Sequence, residues 1–359
     1  MSAELVFGLT PRTASVLIGA GLGLAFGILA ERTRFCLRRA VAGAADERPE
    51  ALGVWAIALA VALAGTAVAI GSGLVDLTDH RFLAARLPIV AIVVGGLLFG
   101  IGMVLARGCA SRLTVLAGTG NLRALTVLIV FAAVAHAALK GALAPIRTSL
   151  GAYTVDLGGI NTLAALPGGA TLWSAVGVAA LLVIVARSGA RPAYLVGGAL
   201  IGALAPLGWL ATGWLLKDEF DPITAESIAL TSAGAETLFW WVASSAIQPT
   251  FGVGFLVGVV GGSFLSSLLA RDFKVVGFTE ATPTGRYLAG GVLMGLGGVL
   301  AGGCTVGAGL SGVATLSVSA ILALASIVAG AAVAQALSRL NLRAATMADA
   351  ASAGAVFTP

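Results

Sequence analysis

Two of the three cysteines close two copies of one glycine-rich stretch. Residues 95–109 and 290–304 share ten of fifteen residues at an offset of 195, and the copies end in Gly-Cys at Cys109 and Cys304. A thiol offers a weak S–H donor and a polarisable sulfur, which suits a soft, sulfur-bearing solute. A single free cysteine is more often a small buried hydrophobe. The repeated position favours a shared role in binding.

The third cysteine, Cys36, lies among arginines. Arg34, Arg38 and Arg39 flank it, and no cysteine stands at a corresponding place in the second half of the chain. Guanidinium groups stabilise a thiolate and hold anions, so this segment is a candidate anion site. The alternative is a loop cysteine beside arginines that only set the orientation in a membrane. The sequence supports both interpretations equally.

Six neighbouring or interrupting residues are weaker candidates for the path of a solute. A glycine before each repeated cysteine is expected to let the backbone turn sharply. The arginines could meet the charge of an anion near the start of a short helix. The glutamine interrupts an apolar run just before a proline. These candidates are Gly108, Gly303, Arg107, Arg112, Arg34 and Gln248.

No metal site, cofactor or catalytic residue is expected. The 359 residues include only two histidines and four methionines, and the three cysteines form no Cys-x-x-Cys pair. The phosphate-binding motif G-x-x-x-x-G-K-[ST] is also missing from the sequence, which argues against direct use of ATP by this chain.

The composition predicts an all-α integral membrane protein. Hydrophobic residues make up 58% of the chain and charged residues 10%, against roughly 25% charged in soluble domains. Fifty glycines fit this class because small residues let membrane helices approach closely. The formal charge of +5 comes from basic residues in short loops, so it indicates orientation in the bilayer rather than nucleic-acid binding.

About nine segments are long enough to span a bilayer, which takes about 20 apolar residues. They are 13–31, 51–73, 88–107, 122–140, 170–187, 193–214, 250–270, 285–302 and 313–337. Four shorter apolar segments are predicted to be re-entrant half-helices, which membranes tolerate only where protein surrounds them. They lie near 35–45, 109–119, 236–248 and 304–312. Glu236 is expected to open the third of them.

The distribution of basic residues predicts the orientation. With nine spans, 15 of the 21 Lys and Arg fall on one side and 6 on the other, so the N-terminus is expected outside and the C-terminus in the cytoplasm. Five spans separate the repeated cysteines, so the two copies run in opposite directions, as in transporters built from an inverted pseudo-two-fold repeat. The predicted organisation is a single membrane domain, 1–359. It comprises a first repeat (13–140), a connecting loop (141–169), a second repeat (170–337) and a cytoplasmic tail (338–359).

The trio Arg-Phe-Cys36, Arg-Gly-Cys109 and Gly-Gly-Cys304 on a glycine-rich scaffold resembles the YeeE/YedE family of sulfur-transport membrane proteins. The resemblance covers essentially the whole chain. It implies uptake of thiosulfate across the bacterial inner membrane, with the N-terminus in the periplasm and the three cysteines passing the ion along by S–H···S contacts without cleaving it. It also implies a possible soluble partner, a TusA-like sulfur carrier in the cytoplasm. Some relatives are assigned to selenium handling instead.

Two other functions compete with sulfur-anion transport. A permease for a soft metal such as Cu(I) could use thiolate ligands, although tracts rich in Met or His are missing from the sequence. A membrane enzyme could form or break an S–S bond on the cysteines. The residues themselves favour a transporter for a small, soft, sulfur-bearing anion, and the resemblance implies that this anion is thiosulfate or a related one.

Overall fold

The protein is almost entirely helical in the computed structural model, which describes residues 10–218, 223–277 and 281–354. Within these residues, eight helices are long and apolar enough to cross a membrane. They match eight of the nine predicted spans. The remaining predicted span, 285–302, coincides with a further helix, Ala281–Leu300. The all-α membrane class is thus confirmed, and the count of nine stays a prediction.

In the described residues of the first half of the chain, the structure has seven α-helices. A long, a short and a long helix follow one another, and this order is repeated before a short surface helix. The helices are α1 (Pro11–Thr33), α2 (Leu37–Ala42), α3 (Arg48–Gly71), α4 (Ile89–Leu105), α5 (Ala110–Gly118), α6 (Leu122–Lys140) and α7 (Ala144–Gly151).

The second half contains one additional helix and then the same order of long and short segments. Its helices are α8 (Gly169–Arg187), α9 (Pro192–Leu210), α10 (Thr231–Val242), α11 (Phe251–Leu269), α12 (Ala281–Leu300) and α13 (Val318–Gly354). A π-helical turn, Ala211–Leu215, extends α9. A second π-helical turn, Gly307–Gly312, takes the place of a short helix between α12 and α13. The predicted tail is therefore helical as far as Gly354, and residues 355–359 lie outside the described part.

Three of the four predicted short segments are helical where the sequence placed them, in α2, α5 and the turn Gly307–Gly312. The fourth, 236–248, is wrong by about one turn, because α10 starts at Thr231 and Glu236 lies in its middle. The reason is that the prediction started from bulky apolar residues. The helix instead begins with small residues, of which Ala233 and Ala235 are buried against neighbouring helices.

The predicted connecting loop, 141–169, has structure of its own. It contains α7 and the two-residue strand β2 (Val155–Asp156), which pairs antiparallel with β1 (Arg86–Leu87). It also contains a 3-10 turn, Leu163–Ala165, and the amide of Leu163 donates to the carbonyl oxygen of Leu316 at 3.0 Å. The segment therefore covers one end of the helical bundle.

The long helices pack in pairs with their backbones in contact. α1 lies along α11, α3 along α9, and α4 against both α12 and α13, whereas α8 packs mainly on α3. A Cβ on Gly23 of α1 would lie 2.1 Å from the carbonyl oxygen of Phe255, and a Cβ on Gly202 of α9 would lie 2.1 Å from that of Ala58. These crossings exclude any side chain, which explains the glycine content.

Substitution at such a crossing should unfold the helix pair. We expect Gly23→Val to lower the yield of folded, detergent-stable protein, because overpacking costs about 3 kcal/mol or more where only backbone is available to move. Gly21→Val on the same helix is the matched control, since a Cβ on Gly21 meets no atom within 4 Å. The measurement is the monodisperse fraction in size-exclusion chromatography with its melting temperature. Equal behaviour of the two variants would contradict the crossing.

Candidate functional site

The same turn leads into each of the three cysteines. The residue two positions before each cysteine has a left-handed backbone: φ is 53° at Arg34, 56° at Arg107 and 77° at Gly302. In the second turn the amide of Gly108 donates to the carbonyl oxygen of Met103 at 3.0 Å, the bond that closes a Schellman-type helix end. Each long helix thus stops abruptly and directs the following cysteine away from its own axis.

The expected role of Gly108 and Gly303 needs a correction. The left-handed conformation lies one residue earlier, because the position directly after a helix end is the one that reverses the chain. Packing explains Gly303, since a Cβ there would lie 2.7 Å from the amide nitrogen of Ala308. Gly108 is less constrained, with a Cβ position 3.2 Å from Cδ2 of Leu113.

Cys36 and Cys109 are in direct contact. Their Sγ atoms are 3.6 Å apart, and the Sγ of Cys109 is also 3.2 Å from the hydroxyl of Ser111. Both cysteines are buried, with exposed fractions of 4% and 0%. Each lies at the N-cap position of a short helix, α2 or α5. Cys36 is therefore part of the protein interior and not a loop cysteine.

Cys304 is buried on the other side of this pair. Its Sγ accepts a hydrogen bond from the amide of Gly307 at 3.4 Å, and none of its surface is exposed. The next residue, Thr305, interacts through its side chain with the thiol of Cys109. All three cysteines belong to one buried cluster. The chain therefore brings both Gly-Cys breaks and the Arg-Phe-Cys segment together.

Two arginines close in sequence to Cys36 and Cys109 have buried nitrogen atoms without a hydrogen-bond partner among the described residues. These atoms are Nη1 of Arg112 and Nε of Arg38. Arg112 interacts electrostatically with both Cys36 and Cys109. A buried cation that lacks a partner is costly. The arrangement favours an anion beside the two thiols.

A carboxylate, Glu31, also acts on Arg112, but it is engaged elsewhere. The hydroxyl of Ser266 donates to its Oε2 at 2.8 Å, and the Nε of Arg32 is 3.4 Å from the same oxygen. Glu31 therefore compensates the charge of Arg112 only from a distance.

The remaining sequence candidates lie outside this cluster. Arg34 and Arg107 are exposed, and their backbones form the turns described above. Gln248 is also exposed, and its Oε1 accepts a hydrogen bond from Arg12 at 3.5 Å. It lines a separate cavity beside the start of α11. Arg34 and Arg107 therefore lie at the turns that precede Cys36 and Cys109, whereas Gln248 has no contact with the cysteines.

A cavity of about 700 Å³ opens above Cys304. Gly307, Ser311 and Ser227 contribute to its lining. The hydroxyl of Ser227 donates to that of Ser311 at 3.1 Å, and Ser311 donates to the carbonyl oxygen of Ile228 at 2.7 Å. Gly307, whose amide donates to the Sγ of Cys304, connects the cavity lining to this thiol, which is itself fully buried.

Four basic residues line the cavity, and no sequence motif groups them. They are Arg81 before α4, Lys140 at the end of α6, Arg147 in α7 and Lys217 after the π-helical turn that extends α9. Arg81 lies over the ring of Phe82, 5.2 Å from its centroid, and makes no hydrogen bond or ion pair with the described residues. In the sequence, their one shared property was that all fall in loops assigned to the same side of the membrane.

Burial and neighbouring charges alter the acids and bases of this cavity. Burial, with a smaller contribution from the charge of Glu236, raises the pKa of Glu226 to about 7. Burial lowers the pKa of His80 to about 4, and the charge of Arg81 acts in the same direction. Hydrogen bonds from Thr78 keep the pKa of Asp76 below its usual value. The cavity therefore holds a neutral histidine and a carboxyl that titrates near neutral pH.

The sequence model of the family described as sulphur transport matches residues 32–333. The chain belongs to the sulphur transport family. It is 27% identical over 327 residues to the thiosulfate transporter TsuA of Escherichia coli (strain K12), covering 82% of this chain and 86% of that protein. It is also 27% identical over 326 residues to the thiosulfate transporter TsuA of Spirochaeta thermophila, covering 85% and 93%. As a member of the sulphur transport family, it is a multi-pass membrane transporter and not an enzyme.

The contact between Cys36 and Cys109 can be tested by cross-linking. In the Cys304→Ser variant, copper-phenanthroline oxidation should join the two remaining thiols, because their sulfur atoms are already 3.6 Å apart. The measurement is the loss of two alkylatable thiols after unfolding, with recovery on reduction. Cys36→Ser, which leaves Cys109 and Cys304, is the matched control and should keep both thiols. Two free thiols in the oxidised Cys304→Ser protein would disprove the contact.

Proposed function

We propose that this chain takes up thiosulfate, or a related small sulfur anion, across the bacterial inner membrane through a relay of Cys304, Cys109 and Cys36, without cleaving the substrate. The observation that carries the proposal is the buried pair Cys36–Cys109, connected to Cys304 through Thr305 and close to Arg112, whose buried Nη1 has no hydrogen-bond partner among the described residues. The names of the two relatives support thiosulfate as the substrate.

The chemistry of thiosulfate fits these groups. The ion is a dianion with one soft sulfur end and one hard oxygen end. Thiols can donate S–H bonds to the sulfur, while Arg112 and the first amides of α5 meet the oxygens. A transport path must also bind weakly at several places so that the solute can leave. Three thiols in sequence satisfy this requirement better than one tight pocket does.

We infer that the two halves form an inverted repeat. Supporting this inference, Gly95 of α4 contacts Gly297 of α12, and Gly102 contacts Gly290. The two contacts run in opposite order along the helices, so α4 and α12 are antiparallel. Exchanging the residues with the offset of 195 turns one contact into the other. On this basis, residues 13–140 and 170–337 are the two repeats of one membrane domain.

The basic cavity serves as the outer entrance in this proposal. The distribution of Lys and Arg over the loops puts its lining on the periplasmic side, together with the N-terminus. Four cations attract a dianion and raise its local concentration. Arg81 interacts electrostatically with Cys304 and is therefore the cation best positioned to bring the anion to the first thiol.

The exit then faces the cytoplasm. Arg34 and Arg107 are exposed beside the turns that lead to Cys36 and Cys109. A solute that leaves the cysteine pair would meet these side chains next. A TusA-like sulfur carrier is the proposed soluble partner on this side, and a basic surface would suit an acidic one.

Soft-metal transport fits the geometry less well. The thiols have no third ligand group of the His, Asp or Glu type among the described residues. The unpaired charge of Arg112 would also repel a metal cation. A selenium analogue of thiosulfate would make the same contacts, so the geometry applies to both anions.

Cysteine substitutions test the relay. We expect Cys109→Ala and Cys304→Ala each to lower the initial rate of radiolabelled thiosulfate uptake at least about tenfold, the factor that 1.4 kcal/mol of lost interaction represents. Both proteins should still fold and insert, since alanine fits a buried apolar site. The relay would be ruled out if both variants supported growth as well as the wild type does in a strain with thiosulfate as its sole sulfur source.

Arg112 provides a second, independent test. Arg112→Gln should weaken uptake about ten- to a hundredfold, because hydrogen bonds to charged groups are worth about 1.5–3 kcal/mol. The matched control is Arg34→Gln, at an exposed arginine near the same cluster. We expect a much smaller effect there. A larger loss in the Arg34 variant would move the anion site away from the cysteine pair.

A further inference from the structure

Glu226 is fixed in the wall of the outer cavity, the cavity of about 700 Å³ described above, and its carboxyl has no hydrogen-bond or ion-pair partner among the described residues. The amide of Glu226 donates to Oγ1 of Thr212 at 2.9 Å, and the same hydroxyl donates to the Glu226 carbonyl oxygen at 2.6 Å. Thr212 is buried in the π-helical turn that extends α9. Among the described residues, the carboxyl itself makes no hydrogen bond or ion pair. The backbone therefore fixes the position of Glu226, and the carboxyl is available to interact with charged groups in the cavity.

Arg81 is the cation that this carboxyl acts on. It interacts electrostatically with Glu226, with Glu236 and with the thiol of Cys304, but it lies within ion-pair distance of none of the described carboxylates. The two carboxyls differ in their partners, because Oε2 of Glu236 accepts a hydrogen bond from the hydroxyl of Thr250 at 2.5 Å. Glu226 is thus the unpartnered carboxyl that competes with an incoming anion for Arg81.

We propose that Glu226 is a proton-binding residue that controls the affinity of the outer cavity for anions. When the carboxyl is neutral, the positive charge of Arg81 is available to the anion. When the carboxyl is ionised, its negative charge offsets the positive charge of Arg81. The inference rests on the proposed function, because it takes the cavity as the entrance for thiosulfate. The inference adds regulation by external pH to that function, with stronger uptake at low pH.

The titration range supports this role. Burial, and to a lesser extent the charge of Glu236, raises the pKa of Glu226 to about 7, while Arg81 acts in the opposite direction. Below this pH the carboxyl is neutral, and above it the carboxylate is present. Thiosulfate remains a dianion across this range, so the protein and not the substrate changes charge.

Other charged or titratable groups line this cavity and the separate cavity beside the start of α11. Neighbouring hydrogen bonds hold the pKa of Asp76 low and burial lowers that of His80 to about 4, so neither changes charge near neutral pH. Burial raises the pKa of Glu236, which makes it the main competitor for the same role. By segment, the groups are Asp76, Asp79, His80 and Arg81 before α4, His136 and Lys140 on α6, Arg147 on α7, Lys217 after α9, Glu236 on α10 and Arg12 on α1.

The experiment measures thiosulfate uptake into proteoliposomes from about pH 5.5 to about pH 8.5, a range that spans the carboxyl titration, with the same buffer on both sides. For wild type we expect KM to rise about tenfold from about pH 6 to about pH 8, the ratio expected if only the neutral carboxyl admits the anion. Glu226→Gln should keep a low KM that does not depend on pH. The matched controls Glu236→Gln and His136→Gln should retain a pH-dependent KM.

Infrared difference spectroscopy of the purified protein provides a second measurement that needs no transport. As the pH is raised, the wild type should lose a protonated-carboxyl band with a midpoint near pH 7, and Glu226→Gln should lack this band. Because bound thiosulfate favours the neutral carboxyl, it should move the midpoint to higher pH by linkage. A Glu226→Gln protein with the wild-type pH profile, or a profile abolished by His136→Gln instead, would overturn the proposal. A flat profile in an active wild type would do the same and leave the proposed function intact. Proteoliposomes that take up no thiosulfate at any pH would refute the proposed function itself.

Discussion

Backbone contact between glycine-striped helices is the interaction on which the rest of the structure depends. Where α4 crosses α12, a Cβ on Gly95 or Gly297 would collide with main-chain atoms of the other helix. The same holds for Gly23 of α1 against α11. Membrane helices gain little from hydrophobic burial against one another, so close van der Waals contact must hold them together. Within this packed bundle, the turns that follow α4 and α12 lead Cys109 and Cys304 into one buried cluster.

The close packing also explains how broken helices can exist in this environment. A chain that stops in the middle of a bilayer exposes amide and carbonyl groups, which is tolerated only inside protein. Here the long helices end in left-handed turns, and short helices start again at Cys36 and Cys109 within a buried cluster. Among the described residues, the same enclosure leaves nitrogen atoms of Arg38 and Arg112 without hydrogen-bond partners. The closely packed interior therefore contains positive charge that is not fully compensated, which suits the proposed binding of an anion.

The two ends of the proposed path differ in character. The outer cavity is wide, basic and titratable, and Gly307 in its lining donates an amide hydrogen bond to Cys304. The inner part is narrow, and its thiols touch each other. Long-range attraction at the entrance and short-range sulfur contacts inside divide the recognition of a small dianion between charge and polarisability. Neither part alone would distinguish a sulfur anion from other oxyanions.

The sequence by itself determined the membrane class and the positions of the long helices, and it identified Cys109 and Cys304 as candidate binding residues. Hydropathy and an internal repeat can both be read directly along the sequence, and an apolar segment of about 20 residues forms a helix in a bilayer. It misjudged the start of α10, because small residues that pack well are not hydrophobic enough to stand out. Only the tertiary structure decided that Cys36 touches Cys109 and that Arg81 and Glu226 share one cavity. These residues lie 73 and 145 positions apart in the chain, and no local pattern encodes a contact that depends on how distant helices pack.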